Sequence, residues 1–363
     1  MMRWWCAAHG GAHNVRSPET RPPSQNADGL SVVLPPGARG FGGGPDVDFV
    51  AAGMRMSAAE VTRARAQWRA FAAALPAYPT PAFAGRGIVI VGGGLQYLPP
   101  AWVAVHALRR TGCTLPIEMW FQTTEMPDSG LAAALLRLGV AVRSADAVAG
   151  GEGGGGFALK VLAVLFSRFE EVLYLDSDNV ALFDPTSVFA WPPYRAAGLL
   201  LWPDFWAASV APDAFAIAPE ARARLASNAS SGSVESGQLL LHKRLAWRTL
   251  LLTWFLNAQA PLYYRLLCSY MGTGDKETWA FAAALAGGAP PARAPHPAGS
   301  AGVRGTRHPA QLLSNTMVRG TVMHCSTIGA AETPRRCSTA RLTGRPCLRT
   351  ATCSSGLWTC PPN

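Results

Sequence analysis

The chain has 363 residues, 49% of them hydrophobic, which suffices for one large α/β domain or two smaller ones and excludes a chain too polar to bury a core. Its net charge of +10 does not point to nucleic acid, because residues 291–363 hold nine arginines against one acidic residue and the rest is nearly neutral. No stretch reaches the roughly 18 consecutive apolar residues of a membrane span, and the opening run before Ala8 is too short and too soon broken for a signal peptide.

Residues 1–56 are rich in Gly, Pro and Ser and are expected to form a stem or linker without stable structure. Residues 57–82 read as a lead-in: Ser57 and Glu60 have the spacing of a capping box that opens a helix to about Leu75, and Pro76, Pro79 and Pro81 end it. From residue 83 the pattern alternates. Strands are predicted at 88–91, 117–121, near 140 and at 172–175, with helices at 100–110, 131–138 and 157–166 between them. Such alternation predicts an α/β fold with a mostly parallel central sheet flanked by helices.

The glycines at 150–156 read as a low-complexity surface loop. Further strands are expected at 198–202 and 239–241, two helical stretches run to about residue 270, and another helix opens at 272–277 and extends to 285. This places one domain at 83–290. Residues 291–363 form a tail rich in Arg, Pro and Cys, expected to be irregular. Its Cys325, Cys337, Cys347, Cys353 and Cys360 show no zinc-site spacing, and a disulfide-stapled lobe is the alternative. The sequon Asn228-Ala229-Ser230 is compatible with a secretory lumen.

The most informative segment is Glu171-Val-Leu-Tyr-Leu-Asp176-Ser-Asp178-Asn179, an apolar strand that ends in two carboxylates spaced i, i+2. Hard oxygen ligands at such a point can hold a divalent cation and leave positions open for nucleotide phosphates. A polar turn after the strand is the plainer alternative. An EF-hand is excluded, because Val180 and Ala181 stand where that loop needs an oxygen ligand and a glycine. Only Lys160, Lys243 and Lys276 among the 32 basic residues are lysine, which draws attention to sites needing a compact ammonium. Lys243, after a strand, reads as an ordinary surface residue.

Several segments together resemble the α-mannosyltransferase family that includes the fungal Golgi α-1,2- and α-1,3-mannosyltransferases of mannan synthesis. They are Gly85-Arg-Gly-Ile-Val-Ile90, Leu108-Arg-Arg-Thr-Gly112 with Leu115-Pro-Ile-Glu-Met-Trp120, Phe157-Ala-Leu-Lys160, Glu171 to Asn179, Leu201-Trp-Pro-Asp-Phe-Trp206, Glu235-Ser-Gly-Gln238 and Gly274-Asp-Lys-Glu-Thr278. The resemblance implies a GT-A fold, a nucleotide-sugar donor, GDP-mannose, a Mn²⁺ (or Mg²⁺) cofactor and transfer with retention to a glycan or glycoprotein. It also implies residence in the Golgi lumen, with membrane attachment through an anchor absent from this chain. A UDP-sugar donor and an inactive nucleotide-sugar or glycan-binding member are the alternatives.

Carried over residue by residue, the resemblance gives Asp176 and Asp178 the metal, with Asp178 the direct ligand and Asp176 also near the ribose. Lys160 would face a phosphate or else solvent, and Gly92, Gly93 and Gly94 would let backbone approach the nucleotide or simply form a tight turn. Asp204, between Trp202 and Trp206, would bind sugar hydroxyls; Glu235 and Gln238 would stabilise positive charge at the anomeric carbon. Asp275 would hold the donor sugar or else cap a helix. A late histidine is expected at the metal, for which His324 is the candidate, although no lysine follows it.

Overall fold

The computed structural model describes residues 56–149, 156–207, 210–226, 232–268, 274–294 and 317–319. Seven strands form one sheet: β1 (Arg86–Val91), β2 (Ile117–Phe121), β3 (Val140–Ser144), β4 (Glu171–Leu175), β6 (Leu199–Ala207), β7 (Gly232–His242) and β8 (Ala292–Arg293). β5 (Asn179–Ala181) pairs instead with β9 (Met317–Arg319). The sheet order is β3-β2-β1-β4-β7-β6-β8. Pairings are parallel from β3 through β4 and between β6 and β8; β7 runs antiparallel to both of its neighbours.

The helices used below are α1 (Ala58–Ala73), α2 (Gly94–Arg110), α3 (Ala158–Phe166), α4 (Trp247–Ala258) and α5 (Lys276–Ala286). α1 opens on the expected capping box, with Ser57 Oγ accepting from the Glu60 amide and the Glu60 carboxylate accepting from the Ser57 amide. α2 begins six residues earlier than the prolines suggested, on a turn in which Gly94 takes φ +71°, and it carries Pro99 and Pro100 inside its early turns. β8 and β9 extend regular structure beyond residue 290, where composition argued against it.

Period-2 alternation divides the core between the two faces of the sheet. Val89, Val172, Tyr174, Leu239 and Leu241 pack on one face with α1, α3, α4 and α5; Ile88, Ile90, Leu173, Leu175 and Leu240 pack on the other with α2. Every residue of the stretch Ala158–Leu165 is buried, so α3 runs through the first layer rather than along the surface.

Lys243 departs from its expected place at the surface: it is fully buried at the end of β7. Its Nζ donates to Ser167 O at 2.6 Å, Ser167 Oγ at 3.0 Å and Leu165 O at 3.2 Å, and lies 3.8 Å from the centre of the Phe83 ring. Those carbonyls close the C-terminal end of α3, where the helix dipole favours a cation. Burial nevertheless drives the Lys243 pKa well below the ordinary lysine range.

Candidate active site

The strand order reverses between β1 and β4, and an open α/β sheet forms its ligand crevice beyond the carboxyl ends of the strands at such a switch point. Gly92–Gly94 follow β1 and Asp176 follows β4, so both predicted groups border that crevice. β4 ends at Leu175 and the two acids lie on a turn, in which the Asn179 amide donates to Asp176 O at 3.0 Å. The turn and the acidic pair are thus one feature. Asp178 is exposed and Asp176 half-buried.

β7 supplies the other wall through a bulge. Its register against β6 jumps from Leu201↔Leu239 to Trp202↔Glu235, so Ser236, Gly237 and Gln238 have no partners on β6. Bulges of this kind re-aim side chains beside sites. Here the freed carbonyl of Gly237 accepts from the Asp176 amide at 2.7 Å and from Asn179 Nδ2. Gly237 leaves room for a convergence: a Cβ added there would stand 3.2 Å from Asp176 Oδ2, 3.2 Å from Asn179 Nδ2 and 3.5 Å from Glu235 Oε2. Gln238 pairs with Leu175 across the β4 junction.

Lys160, on α3, reaches into this junction and is not solvent-facing. Its ammonium donates to Ser236 O at 2.9 Å and Ser236 Oγ at 3.1 Å. It lies 3.3 Å from Asp176 Oδ1, 3.2 Å from Asp275 Oδ2 and 3.5 Å from Asp275 Oδ1. Tyr174 lends its hydroxyl to Asp176 Oδ1 at 2.7 Å and its ring to the ammonium, 5.2 Å from the centre. Burial opposes the charge on Lys160, but Asp176 and then Asp275 outweigh it and raise the ammonium above the ordinary lysine range.

Asp275 stands at the start of α5 and makes no side-chain capping hydrogen bond. Its carboxylate is instead turned to Lys160 and to Ser236 Oγ, which donates to Oδ1 at 3.3 Å. Burial raises its pKa, partly countered by Lys160. Oδ2 has an ionic contact with Lys160 but no aligned hydrogen-bond donor.

The remaining predicted residues are less tightly gathered. Met119 packs where a side chain on Gly92 would go, and the Glu125 carboxylate occupies the corresponding space at Gly93 and Gly94. The three glycines thus leave space at the head of α2 that Met119 and Glu125 fill. Asp204 lies on β6 between Pro203 and Ala207, with its side chain and that of Trp206 outside the described residues, and His324 is outside them too. Among the described residues no three His, Cys, Asp or Glu side chains form a metal-binding group.

Tyr174, Asn179, Ser236 and Gly237 also build the site, and they lie within the segments that carry the family resemblance. No local pattern marks them, because their contacts cross between β4, β7, α3 and α5. Asp176 and Asp178 fit a hard cation in donor type, as two carboxylates at a turn whose backbone is pinned by Gly237.

A family model described as "Mannosyltransferase putative" matches residues 85–232 and 218–326. The alpha-1,2-mannosyltransferase MNN24 of Candida albicans is 30% identical over 238 residues, covering 55% of this chain and 33% of that protein. The alpha-1,2-mannosyltransferase MNN2 of Saccharomyces cerevisiae is 28% identical over 244 residues, covering 56% of this chain and 41% of that protein. The chain thus spans less than half the length of either relative. Among solved structures, the glycosyltransferase GlyE of Streptococcus pneumoniae TIGR4 is similar at 19% identity over 53% of this chain and 42% of its own, with a TM-score of 0.35.

Proposed function

Because the chain belongs to the mannosyltransferase family whose model matches residues 85–232 and 218–326, we propose that it transfers mannose from GDP-mannose to a glycan or glycoprotein acceptor with retention of configuration. The observation that supports this most directly is the convergence of Asp176, Lys160 and Asp275, with the two acids flanking one buried ammonium. Asp178 and Asp176 would hold Mn²⁺ or Mg²⁺, whose charge would offset that of the departing diphosphate. Asp275 Oδ2, buried and lacking a hydrogen-bond donor, would accept from a hydroxyl of the donor sugar. Lys160, held by Ser236 and by both acids, keeps these carboxylates in register.

Glu235, beside Asp176 at Gly237, and Gln238, next in the bulge, would present oxygens to positive charge developing on the sugar. Asp204 and Gly92–Gly94 would line the acceptor and nucleotide sides. β9 sets Arg319 opposite Asn179, one residue past Asp178, and His324 follows five residues later, within about 17 Å of extended chain, as the proposed third ligand. The family resemblance would place the protein in the Golgi lumen. No helix among the described residues is long and apolar enough to cross a membrane.

Calorimetry of GDP and UDP with and without Mn²⁺, together with transfer assays over GDP- and UDP-sugars, tests this reading. Mn²⁺ should strengthen GDP binding about tenfold or more, and Asp178→Ala should abolish that gain. Nucleotide binding that is indifferent to both the metal and Asp178→Ala would refute the metal assignment. Preferred turnover of a UDP-sugar would replace the donor, and binding without turnover of any sugar would leave a binding protein.

A further inference from the structure

Asp275 occupies the N-cap position of α5 in an unusual way. An N-cap residue ordinarily has extended backbone and lends its side chain to the amide two or three residues on. Here the backbone is helical, φ −93° and ψ −10°, and the side chain makes no such bond. The amide that it would cap, that of Thr278, donates to Asp275 O at 2.9 Å, and Thr278 Oγ1 donates to the same carbonyl at 2.5 Å. With its helix satisfied through the main chain, the carboxylate is released towards Lys160.

The Thr278 hydroxyl is in turn held from behind. Asn257, on α4 and 2% exposed, donates through Nδ2 to Thr278 Oγ1 at 3.0 Å and to Thr253 O at 2.8 Å, and its Oδ1 accepts from Tyr264 OH at 2.6 Å. Each polar atom of the Asn257 amide is therefore used, and all its partners are buried. On the preceding residue, Gly274 O accepts from Cys268 Sγ at 3.2 Å. Burial raises that thiol to about 12, so it remains a protonated donor.

We propose that Thr278 and Asn257 are positioning residues for Asp275: together they hold its backbone so that the carboxylate faces Lys160 instead of capping α5. The mutual fit is specific. A hydrophobic residue at 257 would fill the same volume in the layer between α4 and α5, yet the position carries an amide that meets its hydrogen bonds and holds the Thr278 hydroxyl, which in turn donates to Asp275 O. The inference rests on the proposed function only for its catalytic consequence, because the orientation itself is a property of the folded chain.

The test is a double-mutant cycle of Lys160→Met and Asp275→Asn, read as shifts of the urea unfolding midpoint in three backgrounds: wild type, Thr278→Val and Thr278→Ser. Valine keeps the shape without the hydroxyl; serine keeps the hydroxyl. The coupling between Lys160 and Asp275 should be lost with valine and kept with serine. Equal coupling in all three backgrounds, or equal loss with valine and serine, would overturn the proposal. Should Thr278→Val not fold, Asn257→Ser in the same cycle gives the same decision, with loss of coupling expected. In transfer assays Thr278→Val should lower kcat about tenfold with KM within about twofold, and Thr278→Ser should restore kcat. A wild type that transfers no sugar would overturn the proposed function while leaving the cycle readable.

Discussion

Replacing Lys160 by methionine probes the centre of the site. The ammonium is the counter-ion of Asp275, and the two side chains are 7% and 5% exposed at 3.2 Å. Methionine fills the stem's volume but leaves Asp275 buried with a charge and without its counter-ion, the Ser236 hydroxyl remaining as a donor. Removing one partner of a buried pair costs about 3–5 kcal/mol, a large part of the roughly 5–15 kcal/mol that stabilises a domain. The contact with Asp176 adds little to this, since that acid is 33% exposed and screened by solvent. With a urea m-value near 3 kcal/mol per molar, the midpoint measured by tryptophan fluorescence should fall by about 1–2 M.

The sign of the pH dependence follows from Asp275. Burial raises its pKa, and removing Lys160 takes away the largest influence that lowers it, so below that raised pKa the folded state binds a proton that the unfolded chain, with an ordinary carboxyl, does not. The deficit of Lys160→Met should therefore shrink as pH falls from about 7 to 5. Adding Asp275→Asn to Lys160→Met removes the stranded charge and should recover about 2 kcal/mol or more. A loss below about 1 kcal/mol for Lys160→Met, or a double variant less stable than that single one, would refute the reasoning.

In Asp275→Asn alone, turnover should drop about tenfold or more while nucleotide affinity stays within about twofold, because the contact is made to the sugar; near wild-type turnover would return the residue to a structural role. Gly237→Ala puts a methyl group within 3.2 Å of Asp176 Oδ2 and Asn179 Nδ2, so Mn²⁺-dependent nucleotide binding should weaken with the unfolding midpoint nearly unchanged, which calorimetry and denaturation check together. Lys243→Met should be less stable than wild type at high pH. Because burial depresses the lysine's pKa, the unfolded chain binds the extra proton between that depressed value and the ordinary lysine range, so the advantage of wild type over Lys243→Met should grow as pH rises through that window. A pH-independent difference in urea titrations would refute this.

The sequence alone determined the strands β1, β2 and β4, because their apolar runs are bounded by turn residues. It also determined the capping box at Ser57 and the place of Asp176 and Asp178 at a strand end. These are local signals: a period, a cap and a motif lie within a few residues of one another. Direction was not local. Leu239–Leu241 is apolar on both faces, so nothing in it shows that β7 runs antiparallel to β4 and β6. Nor could spacing reveal that Lys243 closes the end of α3 instead of facing water, or that the Ser236–Gln238 segment leaves its register with β6. The meeting of Lys160 with Asp275 joins residues 115 positions apart, and the same chain pattern is compatible with a solvated lysine and a capped helix. Tertiary packing decided between those outcomes, because a buried charge is tolerable only where the fold brings its partner, and that partner is chosen in space and not along the chain.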